Sequence, residues 1–151
     1  PDFEFHIYGK GPEKNELHKL IIELGLSDVV FMYEPVSMEL IAQKLHEADI
    51  GVVPKRASGF GNEGLSTKIF EYMAMGLPVV ASKTKVDAVF PENTLSHFTS
   101  EDATELANQV IQLVLNEDIR DKQIDAANEF IRKNSWDKKN HLYLDIINLF
   151  L

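Results

Sequence analysis

Residues 63–82 decide the fold of this chain, and they read Glu-Gly-Leu-Ser-Thr-Lys-Ile-Phe-Glu-Tyr-Met-Ala-Met-Gly-Leu-Pro-Val-Val-Ala-Ser. Helix formers run over 67–75, with apolar residues at the three-and-four spacing of a buried stripe, and Ser66 offers a cap. Gly76 is placed for a left-handed C-terminal cap, and Pro78 prevents the helix from continuing. The residues from Pro78 onward have the brevity and β-branched content of an interior parallel strand. The stretch therefore predicts a loop, a short helix, a tight stop and a buried strand.

The polar residues of this stretch gather around the start of the predicted helix. Thr67, Lys68 and Glu71 are three or four residues apart, so they share one helix face. Glu63 lies eight residues before Glu71, in a loop that Gly64 loosens. A helix N-terminus presents free N–H groups and partial positive charge, which suit a phosphate. A carboxylate one or two turns further on suits sugar hydroxyls, because it accepts two hydrogen bonds from a vicinal diol.

The same stretch resembles the donor-site signature of the retaining family 4 glycosyltransferases, which have the GT-B fold. The resemblance rests on a Glu, seven residues, a second Glu, and then Tyr-Met-Ala-Met-Gly-Leu-Pro-Val-Val-Ala-Ser. Those enzymes pair two Rossmann-like halves, and the C-terminal half holds the nucleotide-sugar. The alternative is a buried helix–strand unit whose carboxylates are merely solvated.

The resemblance implies a role for each polar residue. Glu71 would bridge ribose hydroxyls, and Glu63 would hold hydroxyls of the donor sugar. Lys68 and the backbone N–H groups before it would face the diphosphate, where charge develops as the glycosidic bond breaks, so donors aimed there lower the barrier. Glu63 and Lys68 are the predicted catalytic residues. The predicted donor-binding residues of this stretch are Glu63, Leu65, Ser66, Thr67, Lys68 and Glu71.

Two earlier segments add to the predicted donor site. A strand over 3–8 runs into Gly-Lys-Gly-Pro, which lacks the third glycine of a dinucleotide fingerprint and resembles the family's loop near the nucleotide. Gly9 and Gly11 are therefore carried as nucleotide-binding residues, although a plain turn fits as well. After the strand over 29–33, the resemblance places the backbone around Val36 at the base, with Ser37 capping the next helix.

The composition is that of a globular protein, and the positions of its cations point to a small anionic ligand. At 151 residues the chain is predicted to form one domain, and 44% hydrophobic with 26% charged residues is ordinary for a globular protein. Zero cysteines exclude disulfides and thiolate metal sites, and a formal charge of −9 argues against nucleic acid. Six cations follow a predicted strand or begin the central helix, where ligands of parallel sheets bind, unless they only keep loops soluble. They are Lys10, Lys55, Arg56, Lys68, Lys83 and Lys85.

Alternating segments predict an α/β chain. We expect a single Rossmann-like domain over 1–151, with a parallel sheet and helices on both faces. The predicted strands are 3–8, 29–33, 49–54, 78–82 and 95–99. The predicted helices are 13–24, 38–47, 67–75, 102–115, 119–133 and about 136–151. The inward residues are predicted to be Leu17, Leu20, Ile21 and Leu24 on the first helix and Leu106, Val110, Leu113 and Val114 on the fourth.

The resemblance also implies parts that this sequence does not contain. The family's first strand, with its Arg and Lys for the diphosphate, would precede Pro1, and the N-terminal acceptor half would precede that. The chain is therefore interpreted as a fragment of a larger enzyme. Its last helix is expected to expose an apolar patch, through which the isolated fragment could dimerise. The residues of that patch are Leu142, Tyr143, Ile146, Ile147, Leu149 and Phe150.

The predicted function is donor binding for transfer of a hexosyl residue to a saccharide or lipid-linked acceptor. The donor would be a UDP-, GDP- or ADP-sugar, and no metal or other cofactor is expected, since five dispersed histidines have no paired spacing. No signal peptide or membrane-spanning run is visible, so we expect a cytoplasmic enzyme, peripheral to the inner membrane face if its missing half takes a membrane acceptor. The alternatives are a nucleotide-sugar epimerase of the same architecture and a non-catalytic binding or interaction module.

Overall fold

The computed structural model describes residues 3–150, except for the side chain of Asp87. The chain divides into two compact units, Pro1–Lys44 and Leu45–Leu151. Both units are built from parallel strands that alternate with helices. The prediction of a parallel α/β fold is therefore confirmed. The hydrogen-bonded ladders of the described residues form two sheets, one of two strands and one of three.

The first unit contains a two-stranded sheet. Its elements are β1 (Phe5–Tyr8), α1 (Lys14–Glu23), β2 (Val30–Tyr33) and the start of α2 (Met38–His46). β1 and β2 are parallel, and Phe5 is opposite Val30. α2 begins where the sequence predicts, because the Ser37 Oγ accepts a hydrogen bond from the Leu40 N–H at 3.3 Å.

The prediction of which α1 residues face inward is largely wrong. Of its four apolar residues only Ile21 is buried, while Leu17, Leu20 and Leu24 are exposed. A helix buries its apolar stripe only as far as a sheet extends beneath it, and two strands offer little width. The periodicity therefore predicts the helix correctly and its burial incorrectly.

The second unit contains a three-stranded parallel sheet in the order β3-β4-β5. Val52 is opposite Val80, and Val80 is opposite Ser96. The strands are β3 (Gly51–Val53), β4 (Val79–Ser82) and β5 (Ser96–Phe98). The helices are α3 (Phe60–Glu63), α4 (Thr67–Ala74), a 3-10 helix (Lys85–Val89), α5 (Ala103–Leu115), α6 (Glu117–Asn134) and α7 (Trp136–Asn148).

The central strand β4 carries the core on both of its faces. Val79 and Ala81 belong to one buried cluster, and Val80 belongs to a second cluster with Phe98 and Leu113. Because successive strand residues point to opposite faces, the two clusters lie on opposite sides of the sheet. Residues of α4 and α6 contribute to the first cluster, and residues of α5 contribute to the second. The second unit thus has helices on both faces of its sheet, as predicted.

One helix boundary and one helix face in the second unit differ from the prediction. α6 begins two residues early, because the Asn116 Oδ1 accepts a hydrogen bond from the Ile119 N–H at 3.2 Å and caps the helix. On α5, Leu113 is buried and Leu106 and Val110 are half-buried, but Val114 is exposed. The inward stripe of α5 is therefore narrower than its apolar residues suggest.

The expectation of an exposed apolar patch on the last helix is confirmed. α7 has no buried residue, and all six patch residues are exposed. The helix ends at Asn148, three residues before the predicted end, and Leu151 lies outside the described residues. Within residues 3–150, no helix has both the length and the apolar content to cross a bilayer.

Candidate functional site

Helix α4 has the two faces that the sequence predicts. Ile69 and Met73 are buried, whereas Thr67, Lys68 and Glu71 are exposed on the other side. Gly76 ends the helix with a φ of 75°, the left-handed conformation that glycine adopts at low cost. The polar face of α4 is therefore open to a ligand.

The start of α4 differs from the prediction in one respect. Ser66 occupies the cap position with extended backbone, φ −84° and ψ 116°, but its side chain makes no capping hydrogen bond. The prediction that Ser66 offers a side-chain cap is thus wrong. Because the Ser66 side chain does not cap the helix, the N–H groups of its first turn keep the capacity to bind an anion.

Gly64 is required because a larger residue would not fit, and not because its backbone conformation needs glycine. Its φ of −92° and ψ of 123° are available to any residue. A Cβ built on Gly64 would lie 3.1 Å from the Phe60 ring and 3.1 Å from the Phe60 carbonyl oxygen. The Phe60 side chain itself is 89% exposed. Gly64 therefore allows α3 to pack closely against the chain that leads to α4.

Two serine hydroxyls hold the segment that follows β3. The Ser82 Oγ accepts a hydrogen bond from the Lys55 N–H at 2.7 Å and donates one to the Lys55 carbonyl at 2.6 Å. The Ser100 Oγ donates to the same carbonyl at 3.0 Å and accepts from the Ala57 N–H at 2.9 Å. Ser82 is the last residue of β4, and Ser100 lies just after β5. The carboxyl ends of the neighbouring strands thus determine where this segment begins.

Lys55 also joins the two ends of the segment. Its ammonium donates a hydrogen bond to the Gly64 carbonyl, nine residues further on. This contact holds the Lys55 side chain against the backbone at the other end of the segment. Lys55 therefore helps to determine the conformation of the segment. Gly61 passes so close that a Cβ there would lie 2.3 Å from the Arg56 carbonyl oxygen. The segment from Lys55 to Gly64 is therefore compact, and it includes the short helix α3, where the sequence predicts no regular structure.

Glu63 forms an ion pair across the site. Its carboxylate Oε1 lies 2.7 Å from the Lys85 ammonium. The two side chains are 61% and 68% exposed, respectively. In addition, the Lys85 N–H donates to the Asn62 Oδ1 at 3.0 Å. The 3-10 helix after β4 is thus connected to the helix that carries Glu63.

Tyr72, the neighbour of Glu71, has a raised pKa and packs against β3. Burial raises the pKa of the Tyr72 phenol above its usual value, and the nearby negative charge of Glu71 raises it further. The Tyr72 ring packs on β3, where a Cβ on Gly51 would come within 2.2 Å of a ring carbon. Tyr72 therefore anchors the helix that presents Glu71.

A cavity opens at the carboxyl ends of all three strands of the second unit. Its volume is about 350 Å³. It is lined by Ala57, Ser58, Lys83, Thr99, Ser100 and Glu101. This is the edge at which open parallel sheets bind ligands. No group of three or more His, Asp or Glu side chains that could hold a metal occurs in the part of the chain that the structure describes.

Three predicted residues belong to the first unit. Gly9 directly follows β1, and its N–H donates to the Tyr33 carbonyl at 3.2 Å. Gly11 precedes α1, and Val36 follows β2. They gather at the carboxyl edge of their own sheet, whereas Glu63, Leu65, Ser66, Thr67, Lys68 and Glu71 follow β3 in the second unit.

The structure adds three residues that the sequence reasoning missed, and one contact. Ser82, Ser100 and Asn62 position the loop, and Lys85, one of the six predicted cations, contacts Glu63 through its side chain. For the two serines the available signal was their position, since Ser82 ends a predicted strand and Ser100 follows one, whereas Asn62 had no such signal. Because ligand-facing loops of a parallel sheet follow its strands, polar residues at those points were candidates.

The family model for group 1 glycosyl transferases matches residues 1–130. The chain therefore belongs to the group 1 glycosyltransferase family. An uncharacterized glycosyltransferase of Methanocaldococcus jannaschii is 24% identical over 139 residues, covering 91% of this chain and 38% of the relative. The amylovoran biosynthesis glycosyltransferase AmsK of Erwinia amylovora is 37% identical over 82 residues, covering 54% of this chain and 20% of the relative.

A solved structure shows the same fold. Anabaena HepE, crystallised with UDP, aligns with a TM-score of 0.85 at 20% identity, covering 98% of this chain and 41% of that protein. The chain thus spans well under half the length of these relatives. The resemblance to the C-terminal part of GT-B glycosyltransferases is confirmed by the family match and by this likeness of fold.

Proposed function

We propose that this chain is the donor-binding half of a retaining glycosyltransferase that transfers a hexosyl residue from a nucleoside-diphosphate sugar to a saccharide or lipid-linked acceptor. The single observation that carries the proposal is the polar face at the start of α4. Thr67, Lys68 and Glu71 are exposed there, and the Ser66 side chain does not cap the helix. Glu63 ends the short helix immediately before it.

Each of these groups has a role in the proposed reaction. Backbone N–H groups at Leu65, Ser66 and Thr67 and the Lys68 ammonium bind the diphosphate, which gains charge as the glycosidic bond breaks. Glu71 accepts hydrogen bonds from the ribose hydroxyls, and Glu63 accepts them from the donor sugar. Gly9, Gly11 and Val36 border the nucleotide. Lys68 and the helix N-terminus supply positive charge, so this chemistry needs no metal.

Two further observations support the proposal. Anabaena HepE was crystallised with UDP and also with UDP-glucose, which is the class of ligand proposed here. The parallel strand pairs within each unit are also typical of a Rossmann-like fold. In the first unit β1 is parallel to β2, and in the second unit β4 is parallel to both β3 and β5.

The test is a titration of the chain with nucleotides and nucleotide-sugars. UDP, GDP and ADP are compared with UDP-glucose, GDP-mannose and ADP-glucose by thermal shift and by isothermal titration calorimetry. We expect one diphosphate to raise the melting temperature and its sugar to bind more tightly still. If none of the six binds at millimolar concentration, while a complete family member binds its donor under the same conditions, the proposal is wrong.

A further inference from the structure

The Glu63–Lys85 ion pair is too exposed to serve mainly the stability of the fold. Its atoms are 2.7 Å apart, yet the two side chains are 61% and 68% exposed. Ion pairs with this exposure contribute little to folding, because water screens the attraction and ordering two long side chains costs entropy. The Lys85 backbone is held independently by the Asn62 side chain at 3.0 Å. Removing the ammonium therefore leaves the backbone placement intact.

The pair has free hydrogen-bonding capacity on both sides. A carboxylate offers about four acceptor positions, and the contact with Lys85 uses Oε1. The ammonium has three N–H donors and uses one on that oxygen. A hydroxyl that lies beside the pair can donate its proton to a free acceptor position of Glu63 and accept a hydrogen bond from Lys85 at the same time. The pair thus offers both an acceptor and a donor to one sugar hydroxyl.

We propose that Lys85 is a sugar-binding residue whose ammonium donates a hydrogen bond to the same ring hydroxyl whose proton Glu63 accepts. This inference rests on the proposed function, in which Glu63 contacts the donor sugar. In a hexopyranosyl donor, C1 carries the diphosphate, so each adjacent pair of ring hydroxyls, 2,3 or 3,4, includes the 3-hydroxyl. The 3-hydroxyl is therefore the group that we assign to the pair.

Lys85 then determines specificity for the sugar, not affinity for the nucleotide. The binding gained when the sugar is added to the diphosphate includes the Lys85 contact, whereas the diphosphate alone does not reach it. The change Lys85→Met keeps the length of the side chain and removes its charge and donors. Lys85→Arg keeps the positive charge and the N–H donors. The matched control is Lys133→Met, which breaks an exposed Lys–Glu pair with Glu129 on α6, where the two groups are 2.6 Å apart.

The experiment measures binding of three probes to the four proteins by calorimetry. For a chain that prefers uridine, the probes are UDP, UDP-glucose and the 3-deoxy analogue of UDP-glucose, and the guanosine or adenosine equivalents replace them otherwise. We expect Lys85→Met to bind the diphosphate within about twofold of the parent and the nucleotide-sugar about tenfold more weakly. The 3-deoxy sugar should bind the parent and Lys85→Met equally, Lys85→Arg should restore most of the loss, and Lys133→Met should change nothing.

The outcomes separate this inference from the proposed function. If the diphosphate binds but Lys85→Met weakens the parent sugar and the 3-deoxy sugar to the same extent, or weakens neither, Lys85 does not contact the 3-hydroxyl and the inference is overturned. An equal loss for diphosphate and sugar would make Lys85 a phosphate-binding residue and also overturn it. If no diphosphate binds to the parent chain, the proposed function itself fails, and this inference fails with it.

Discussion

At the scale of single residues, the two acids of the signature should have separable effects. Glu71 is on the rigid helix α4, and Glu63 ends the short helix before it. We expect Glu71→Gln to weaken binding of the free diphosphate, while Glu63→Gln mainly weakens the additional binding of the sugar. Losing a hydrogen bond to a charged group costs about 1.5–3 kcal/mol, or roughly tenfold or more in affinity. Calorimetric titration of both variants with diphosphate and nucleotide-sugar measures this.

The control for the two acid variants is Glu117→Gln, which neutralises an exposed carboxylate at the start of α6. It should leave both affinities unchanged. If Glu63→Gln lowers the affinity for the diphosphate and Glu71→Gln does not, the roles of the two acids are reversed. If neither variant differs from the parent, the signature is only a helix with solvated charges.

Tyr72 gives the second prediction at this scale, a loss of stability at high pH. Burial and, secondly, the Glu71 charge raise its pKa in the folded chain. The unfolded phenol titrates near pH 10, so the folded state holds its proton longer. The free energy of unfolding therefore falls as the pH rises from about 10 through the folded pKa. We expect Tyr72→Phe to lessen this decrease in the free energy of unfolding. Glu71→Gln should also lessen it, because the variant lacks the negative charge that raises the Tyr72 pKa. Urea unfolding between pH 8 and 11 measures both effects.

Tyr72→Phe also changes the stability at neutral pH, so the comparison uses the slope with pH and not the absolute values. The matched control is Tyr143→Phe, because Tyr143 is exposed on α7. An identical slope above pH 10 in the parent and Tyr72→Phe would contradict the prediction.

The sequence predicts the exposed side chains of the site better than the contacts that hold them. The exposed face of α4 follows from spacing alone, because residues three and four apart meet on a helix. By contrast, Ser82 contacts Lys55 across 27 positions and Lys85 contacts Glu63 across 22. Such contacts depend on which strands are neighbours and on the register between them, and local spacing contains neither.

At the scale of elements, sequence prediction succeeds where the local sequence pattern and the observed burial agree. The segment from α4 through Gly76 to β4 has a stripe, a stop and a β-branched strand, and each of them occurs as expected. α1 shows the opposite case, since its apolar stripe predicts a buried face that a two-stranded sheet does not cover. Periodicity identifies a helix, but the width of its sheet decides how much of the helix is buried.

The packing of α4 on β3 gives the third prediction. A Cβ on Gly51 would lie 2.2, 2.6 and 2.9 Å from three ring carbons of Tyr72. Gly51→Ala therefore forces the ring or the strand to move, and overpacking of this kind costs about 1–3 kcal/mol. We expect that decrease in the free energy of unfolding in urea, followed by circular dichroism.

Gly11→Ala is the control for this variant, because a Cβ on Gly11 meets nothing within 4 Å. Its free energy of unfolding should stay the same or rise slightly. The double variant Gly51→Ala with Tyr72→Leu should recover part of the loss, since a smaller side chain makes room. Full stability of Gly51→Ala would contradict the close packing of Tyr72 on β3.

At the scale of the whole molecule, α7 and the residues after it leave apolar surface exposed to solvent. The helix packs on α6 and leaves its six patch residues exposed. Contiguous apolar patches on a protein surface mark interaction sites. In the larger enzyme proposed above, we expect the patch to contact the other half. In the isolated chain, a dimer through α7 would cover the same residues.

The last prediction follows from the share of its relatives that the chain spans. That share is 38% of the Methanocaldococcus relative and 41% of Anabaena HepE, and the proposed function assigns donor binding alone to this chain. Binding of the donor needs the groups around α4, whereas transfer also needs an acceptor positioned against the sugar and water kept out. We therefore expect the chain to bind nucleotide-sugar and to transfer none of it at a useful rate. Release of nucleoside diphosphate and the products are followed with saccharide acceptors, and a complete family member is the positive control. Transfer by the isolated chain at a rate comparable with that enzyme would show that the second half is not required.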